Sequence, residues 1–439
     1  MRRLELPWRD PWQLAWGLAE VFGREGLVWL DGDGTDLGRW SVLGVAPRER
    51  VVCRDQDPFE ALAELAAGGG HWMGWLAYGA GAWVEPGGPW PQADMAVLWA
   101  ARHDPVLVLD QQERRLWLEG SVSALFDQLA ALIGALPSQA PPPASSIPLE
   151  GWHWHTSPAR FADQVGQVRE LIASGDLFQA NLSACCEQWL VAPADPLALY
   201  GQLRRHCPAP FSGLAIAGGG SSSVDDFGSL EAVLSASPER FLELAASGAV
   251  ETRPIKGTRP RSPDPLADAD AAADLVTNPK DRAENVMIVD LMRNDLGRVC
   301  QPGSIRVDQL VGLESYRQVH HLTSVVRGQL RPGLGLVDLL RASWPGGSIT
   351  GAPKVRACQR LSGLEPVPRG PYCGSLFRLG TDGSFDSNIL IRSVMVKGQR
   401  LRVHAGCGIV ADSDPAGEAE ELGWKLQPLL EALAWEALQ

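Results

Sequence analysis

A soluble, globular protein mixing short strands with sharply bounded helices is what this sequence predicts, and three observations carry that prediction. At 45% hydrophobic and 21% charged residues, the chain has the apolar content of a packed interior and too little charge for a disordered one. Upstream of a proline-rich stretch, short alternating apolar runs sit between Gly-rich turns. Downstream, three pairs of capping residue and proline open amphipathic helical patterns. The 439 residues suffice for roughly two or three domains, each able to bury a core.

Taken in order, the N-terminus Met1-Arg2-Arg3-Leu4-Glu5-Leu6-Pro7 lacks an apolar core of signal-peptide length. No run of about 18 apolar residues follows anywhere. The expectation is a cytoplasmic protein with no membrane partner. Pro105 to Leu109 and Arg115 to Leu118 alternate as strands, and Gly68-Gly69-Gly70 and Gly87-Gly88 mark turns. Eleven of the 17 tryptophans fall in this part, which reads as an aromatic core rather than a ligand box. The stretch Leu136-Pro137-Ser138-Gln139-Ala140-Pro141-Pro142-Pro143 forbids helix and favours a stiff connector. It divides the chain into an N-terminal region at 1–135, a linker at 136–150 and a second region at 151–437.

Ser157-Pro158 then opens a helix, with Phe161, Val165, Val168 and Ile172 at helical spacing until Gly175 stops it. Asn278-Pro279 and Asp414-Pro415 repeat the signature, for helices running to about Gly297 and Leu433. Strand-like stretches cover His321 to Leu330, Tyr372 to Leu379, Asn388 to Val396 and Arg400 to His404.

A formal charge of −13 argues against nucleic-acid binding, which needs a basic face. Eight cysteines without a C-x-x-C pair read as buried free thiols. Among 39 cations only five are lysines (Lys256, Lys280, Lys354, Lys397 and Lys425), and the other 34 are arginines. Arginine cannot shed its proton to become a nucleophile, so each lysine is a site candidate.

Three constellations could carry chemistry. Asp281 with Glu284, and Glu418 with Glu421, stand three residues apart on the last two helices, each pair on one helical face. If the helices meet, four carboxylates converge, and a hard, oxygen-preferring Mg²⁺ fits them best. On spacing alone, two solvated faces pairing with Arg282, Arg293 or Lys425 is the simpler reading. The second is Trp344-Pro345-Gly346-Gly347-Ser348-Ile349-Thr350-Gly351-Ala352-Pro353-Lys354, a Gly-rich loop feeding a helix near Pro353 and suited to an anion. Ala352 stands where a nucleotide-binding loop would carry its lysine. Gly406-Cys407-Gly408 offers another close backbone approach. The third is Thr252-Arg253-Pro254-Ile255-Lys256-Gly257-Thr258-Arg259, whose lysine, desolvated between two arginines, could act as an amine nucleophile. Ser237-Pro238-Glu239-Arg240-Phe241 adds a carboxylate suited to a general acid.

Together these segments, with Gly175-Asp176-Leu177-Phe178-Gln179-Ala180-Asn181-Leu182 and His321-Leu322, resemble the chorismate-utilising enzymes, the family of anthranilate, aminodeoxychorismate, isochorismate and salicylate synthases. The resemblance is dense from about Phe161 to Leu433. Before the linker it is looser, resting on features such as Gly38-Arg39-Trp40-Ser41 and Gly74-Trp75-Leu76-Ala77-Tyr78. It implies an α+β fold like that of anthranilate synthase component I, two packed antiparallel sheets with helices outside. Pro254-Ile255-Lys256-Gly257-Thr258 is similar to the aminodeoxychorismate synthase branch, since anthranilate synthases usually carry alanine at the lysine. Hydrating members have a water-activating lysine where this chain has Gln179.

The resemblance further implies Mg²⁺ held by Glu284 and Glu421, with Asp281 and Glu418 in support through water. Lys425 and the backbone of Gly406 and Gly408 would lie beside the ring carboxylate of chorismate, and Tyr372 and Arg392 at the enolpyruvyl carboxylate. Ser348 would lie near the ligand, His321 would be the active-site histidine, Glu239 the general acid and Lys256 the nucleophile. No G-x-C-x-G motif of a glutaminase occurs, so ammonia is expected from a separate glutamine amidotransferase subunit. An anthranilate synthase component I and a non-catalytic chorismate-binding subunit are the competing readings. Lys280 and Lys354 lie in family motifs with no assigned role, and Lys397 reads as a solvated turn residue.

Overall fold

The structure, a computed structural model, describes residues 1–136, 146–218, 230–316 and 319–434. Residues 137–145 of the expected linker lie outside them. Two antiparallel sheets form the body. The first has twelve strands, in the order Arg2–Leu6, Arg115–Gly120, Val106–Asp110, Trp40–Gly44, Val28–Asp31, Phe211–Ala217, Glu231–Ser237, Ser393–Lys397, Arg400–Ile409, Gln179–Trp189 and Gly351–Ala352, with His153–Trp154 beside Gln179–Trp189. The second has ten, in the order Ile255–Pro260, Val319–Gln329, Ala249–Thr252, Arg240–Leu244, Phe385–Asn388, Ser375–Leu379, His71–Leu76, Leu98–His103 and Glu49–Cys53, with Arg306–Ser315 also paired to Val319–Gln329. Strands from before residue 136 and after 150 share both sheets.

Strand alternation explains how the sheets stack. In the first sheet Leu43, Leu107, Leu109, Leu214 and Ile216 face a core shared with the helices Pro11–Phe22, Ala124–Ala135, Pro158–Ala173, Pro196–His206 and Pro415–Ala434. Their neighbours Val42, Val106, Val108 and Ala215 join a second core with Trp75, Trp99, Phe377 and Leu242 of the other sheet. Helices Pro58–Gly68 and Leu336–Ser343 complete that core. The aromatic-core reading holds for Trp29, Trp72, Trp75, Trp99 and Trp117, which are buried, whereas Trp40 is 51% exposed. All eight cysteines are buried and free.

The three capped helices form as the sequence predicts, at Pro158–Ala173, Pro279–Gly297 and Pro415–Ala434. The strand expectations need adjustment in three places. The stretch Asn388 to Val396 is two strands, Phe385–Asn388 in one sheet and Ser393–Lys397 in the other. Arg392 between them has φ 50°, a left-handed conformation that no continuous strand accommodates. The strand expected from Tyr372 begins at Ser375, while that from Arg400 runs on to Ile409.

Candidate active site

The two acidic helices are set by their caps. Asn278 Oδ1 accepts the backbone N–H groups of Lys280 at 3.0 Å and Asp281 at 3.1 Å, and Asp414 Oδ2 accepts that of Gly417 at 2.8 Å. The helices do meet: Lys280 Nζ on the first donates to Glu418 Oε1 on the second at 2.9 Å. The four carboxylates find several cations of the chain's own. Arg259 bridges Asp281 at 3.0 Å, and Lys425 bridges Glu421 at 2.7 Å while donating to the Gly406 carbonyl at 2.9 Å. The repulsion expected to demand a metal is thus partly met by side chains.

Glu284 is the exception. It is 9% exposed, and its carboxylate forms no hydrogen bond or ion pair with a described residue. Burial raises its pKa above the usual carboxylate range, Glu418 and Asp281 add to the rise, and Lys256 and Lys280 oppose it. Burial also raises Asp281 despite Arg259. Glu421, by contrast, is held below its usual value, because Lys425 and then Lys280 and Lys256 outweigh burial. The donor atoms of Cys407, Glu418 and Glu421 lie within 4.8 Å of one another. Burial pushes the Cys407 thiol up to about 12, so at neutral pH it offers a hard cation nothing and the carboxylates are the usable ligands. A buried, partnerless Glu284 beside Glu418 and Asp281 is a donor set that fits Mg²⁺.

Lys256 lies on the edge strand Ile255–Pro260. Gly257 follows at φ +84°, in the left-handed region that glycine enters freely, and a Cβ there would come within 3.0 Å of Asp281 Cβ. The expectation that Arg253 and Arg259 bear on the lysine fails, because each has acids of its own. Arg253 pairs with Glu314 at 2.7 Å and Glu251 at 3.5 Å, and Arg259 with Asp274 at 2.8 Å as well as Asp281. The neighbours of Lys256 are instead Glu239 and Glu284, whose pKa values its charge lowers. Gly408 marks where these groups converge: a Cβ there would lie 2.7 Å from Gln179 Nε2, 3.0 Å from Lys256 Nζ and 3.3 Å from Glu284 Oε2. Lys280, Lys354, Lys397 and Lys425 each form an ion pair. Lys256 forms none with any described residue. Lys397 pairs with Glu231 at 3.7 Å and so is more than a solvated turn residue.

Glu239 sits at the turn between Glu231–Ser237 and Arg240–Leu244, 4% exposed. Burial pushes its carboxyl up to about 7, against the opposing effects of the Ser348 hydroxyl, the Lys256 charge and the Ile255 N–H. Ser348 reaches it from a single 3₁₀ turn, Gly347–Ile349, into which the Gly-rich loop folds. His321 is 1% exposed, with Nδ1 2.8 Å from Thr258 Oγ1 and Nε2 unpartnered among the described residues. Burial, followed by the charge of Arg392, lowers its pKa to about 3, so the ring is neutral at neutral pH. The Arg392 guanidinium, half-buried, has no ion-pair partner among the described residues. Tyr372 stacks on His404 with centroids 5.0 Å apart.

Three groups carried no assigned role in the sequence reading of the site. Thr258 orients His321 from within the Lys256 segment, and its place opposite His321 in the ladder was not legible from spacing. Gln179 is 1% exposed with neither amide atom hydrogen-bonded to a described residue, and it abuts Gly408. Lys280 drew notice through the scarcity of lysine and its place in a family motif, and its contact with Glu418 spans 138 residues.

Unpaired lysine and arginine, a carboxyl titrating near neutrality and a neutral histidine, gathered where the two sheets meet two acidic helices, suit acid–base chemistry on a small anionic substrate. The chain belongs to the chorismate binding enzyme family, whose model matches residues 31–431. It is 42% identical over 343 residues to the aminodeoxychorismate synthase component 1 of Klebsiella aerogenes, covering 77% of this chain and 71% of that one. It is 39% identical over 383 residues to the anthranilate synthase component 1 of Streptomyces coelicolor, covering 82% and 72%. Among solved structures, anthranilate synthase component I from Streptococcus pneumoniae superposes with a TM-score of 0.72 at 28% identity, covering 89% of this chain and 92% of that one. The menaquinone-specific isochorismate synthase of Escherichia coli shares the fold, with a TM-score of 0.74 at 20% identity over 98% of this chain and 94% of that one.

Proposed function

We propose that this chain is the chorismate-aminating component of an aminodeoxychorismate synthase, making 4-amino-4-deoxychorismate for 4-aminobenzoate and folate synthesis. The observation that carries this reading is Lys256, the one lysine without an ion pair among the described residues, placed against Glu239 and Glu284. The Klebsiella relative supports it.

In this reading Glu239, protonated near neutrality, gives its proton to the C4 hydroxyl, which leaves as water. Lys256 gives its ammonium proton to solvent, to be regained on release, and its amine bonds to C2 while the two ring double bonds shift. Ammonia then attacks C4, the double bonds shift back, the C2–Nζ bond breaks with its electrons returning to the lysine, and the proton shed by the new amine goes to Glu239. The balance is chorismate plus ammonia to product plus water, with the enolpyruvyl group retained. Arg392 and Tyr372 hold the enolpyruvyl carboxylate, and His321 donates or accepts through its free Nε2. Glu284 and Glu421 would hold Mg²⁺, with Asp281 and Glu418 in support, and the metal would neutralise the ring carboxylate beside Lys425 and the Gly406 and Gly408 backbone. Ammonia comes from a separate glutamine amidotransferase subunit.

Incubation with chorismate, Mg²⁺ and ammonium tests the reading. It is expected to yield 4-amino-4-deoxychorismate without pyruvate. Pyruvate together with anthranilate would establish the anthranilate synthase reaction instead, and chorismate binding without turnover would establish a non-catalytic subunit.

A further inference from the structure

The cations around the acidic helices differ in how firmly they are anchored. Arg259 is fixed by two acids, Asp274 at 2.8 Å and Asp281 at 3.0 Å. Lys425 is fixed by Glu421 at 2.7 Å and by the Gly406 carbonyl at 2.9 Å. Lys280 has one hydrogen-bond partner among the described residues, Glu418 at 2.9 Å, and its side chain is 42% exposed against 4% for that acid. It stands in the first turn of its helix on a flexible four-carbon stem, with a route to solvent. Its ammonium also lies within electrostatic reach of Glu284, Glu421 and Asp281, so a single movable charge bears on all four carboxylates.

We propose that Lys280 is an exchangeable internal counter-ion: it neutralises the carboxylate cluster when no divalent cation is present, and must give way when one binds. The proposal rests on the metal reading given above. An ammonium and a divalent cation a few ångströms apart repel each other, and Glu418 cannot serve both at full strength. The acids then never face one another uncompensated, and the divalent affinity is set partly by the lysine it displaces.

The test uses the full chain without substrate, comparing wild type with Lys280→Met and Lys280→Arg. Binding is read by Mn²⁺ electron paramagnetic resonance and Mg²⁺ calorimetry, and Tm is measured with chelator and with excess Mg²⁺. Lys280→Met is expected to bind either ion about tenfold more tightly, while Lys280→Arg, which keeps the charge, stays near wild type. In chelator Lys280→Met should have the lower Tm, and Mg²⁺ should raise it more than it raises wild type. Unchanged or weaker binding by Lys280→Met would overturn the proposal and make the lysine an orienting partner of Glu418. Absence of Mn²⁺ binding in wild type and variant alike would remove the metal reading, and the proposal with it.

Discussion

Lys354 and Lys256 lie on opposite sides of the same question. Both belong to motifs rich in glycine and proline, and both are set among buried acids. Lys354 Nζ has Asp295 at 2.6 Å and the Ser343 carbonyl at 3.0 Å, and Asp295 in turn has Arg298 at 3.0 Å. Behind the same loop Arg369 donates to Glu365 and to the carbonyls of Ile349 and Asn181. Every charge in that region has its complement, and its effect is to hold the turn that carries Ser348. Around Lys256 the complement is missing: the lysine, the Arg392 guanidinium, Glu284, His321 Nε2 and the Gln179 amide have no partner among the described residues. Buried groups left unpaired are costly, and a fold retains them where a ligand supplies the missing interactions. Lys354, satisfied, belongs to the scaffold, and Lys256, unsatisfied, to the site.

Substitution at the two lysines should therefore separate activity from stability. Lys256→Ala is expected to lower the rate of 4-amino-4-deoxychorismate formation by at least about 10³-fold, with a urea midpoint near wild type. Intact mass should also lose any chorismate adduct. A full rate in this variant would break the comparison. Glu239 sharpens it next. With its carboxyl near 7, the acid form is present below that pH and is lost as pH rises through it. The rate at constant free ammonia should fall on the alkaline side with an apparent pKa near 7, and Glu239→Gln should cost about 10²- to 10⁴-fold. On the scaffold side, Lys354→Met leaves Asp295 with Arg298 alone and should cost about 3 kcal/mol in urea unfolding. The residual folded enzyme should keep its alkaline pKa.

A further effect concerns acid. Burial lowers His321 and His404 to about 3 and His71 and His103 to about 4. Between those values and the usual 6.5 the unfolded chain binds protons that the folded one does not. Stability should fall as pH drops below about 6.5 and continue falling to about 3, by up to about 1.4 kcal/mol per pH unit for each group fully in that window. His404→Phe should flatten the slope in urea titrations, and an unaltered slope would show that this histidine is already paired or solvated.

Much of the architecture was legible because it is local. Ser157-Pro158, Asn278-Pro279 and Asp414-Pro415 fix their helices through side chains two or three residues from the amides they cap, and alternation fixes the strands. The twist of Arg392 into a left-handed conformation was not legible, since it belongs to a crossing between sheets that residue order does not announce. The arginines flanking Lys256 misled for the same reason: their acids lie at Glu314, Asp274 and Asp281, and sequence adjacency said nothing about them.

By itself, then, the sequence determined the capped helices, the sites of the acids three residues apart and, through the Pro-Ile-Lys-Gly-Thr resemblance, the singular lysine. Only the tertiary structure decided which charges are paired. Caps and periodicity act over one or two turns, whereas the contact between Lys280 and Glu418 closes 138 residues of chain, and the freedom of Lys256 is a property of everything packed around it.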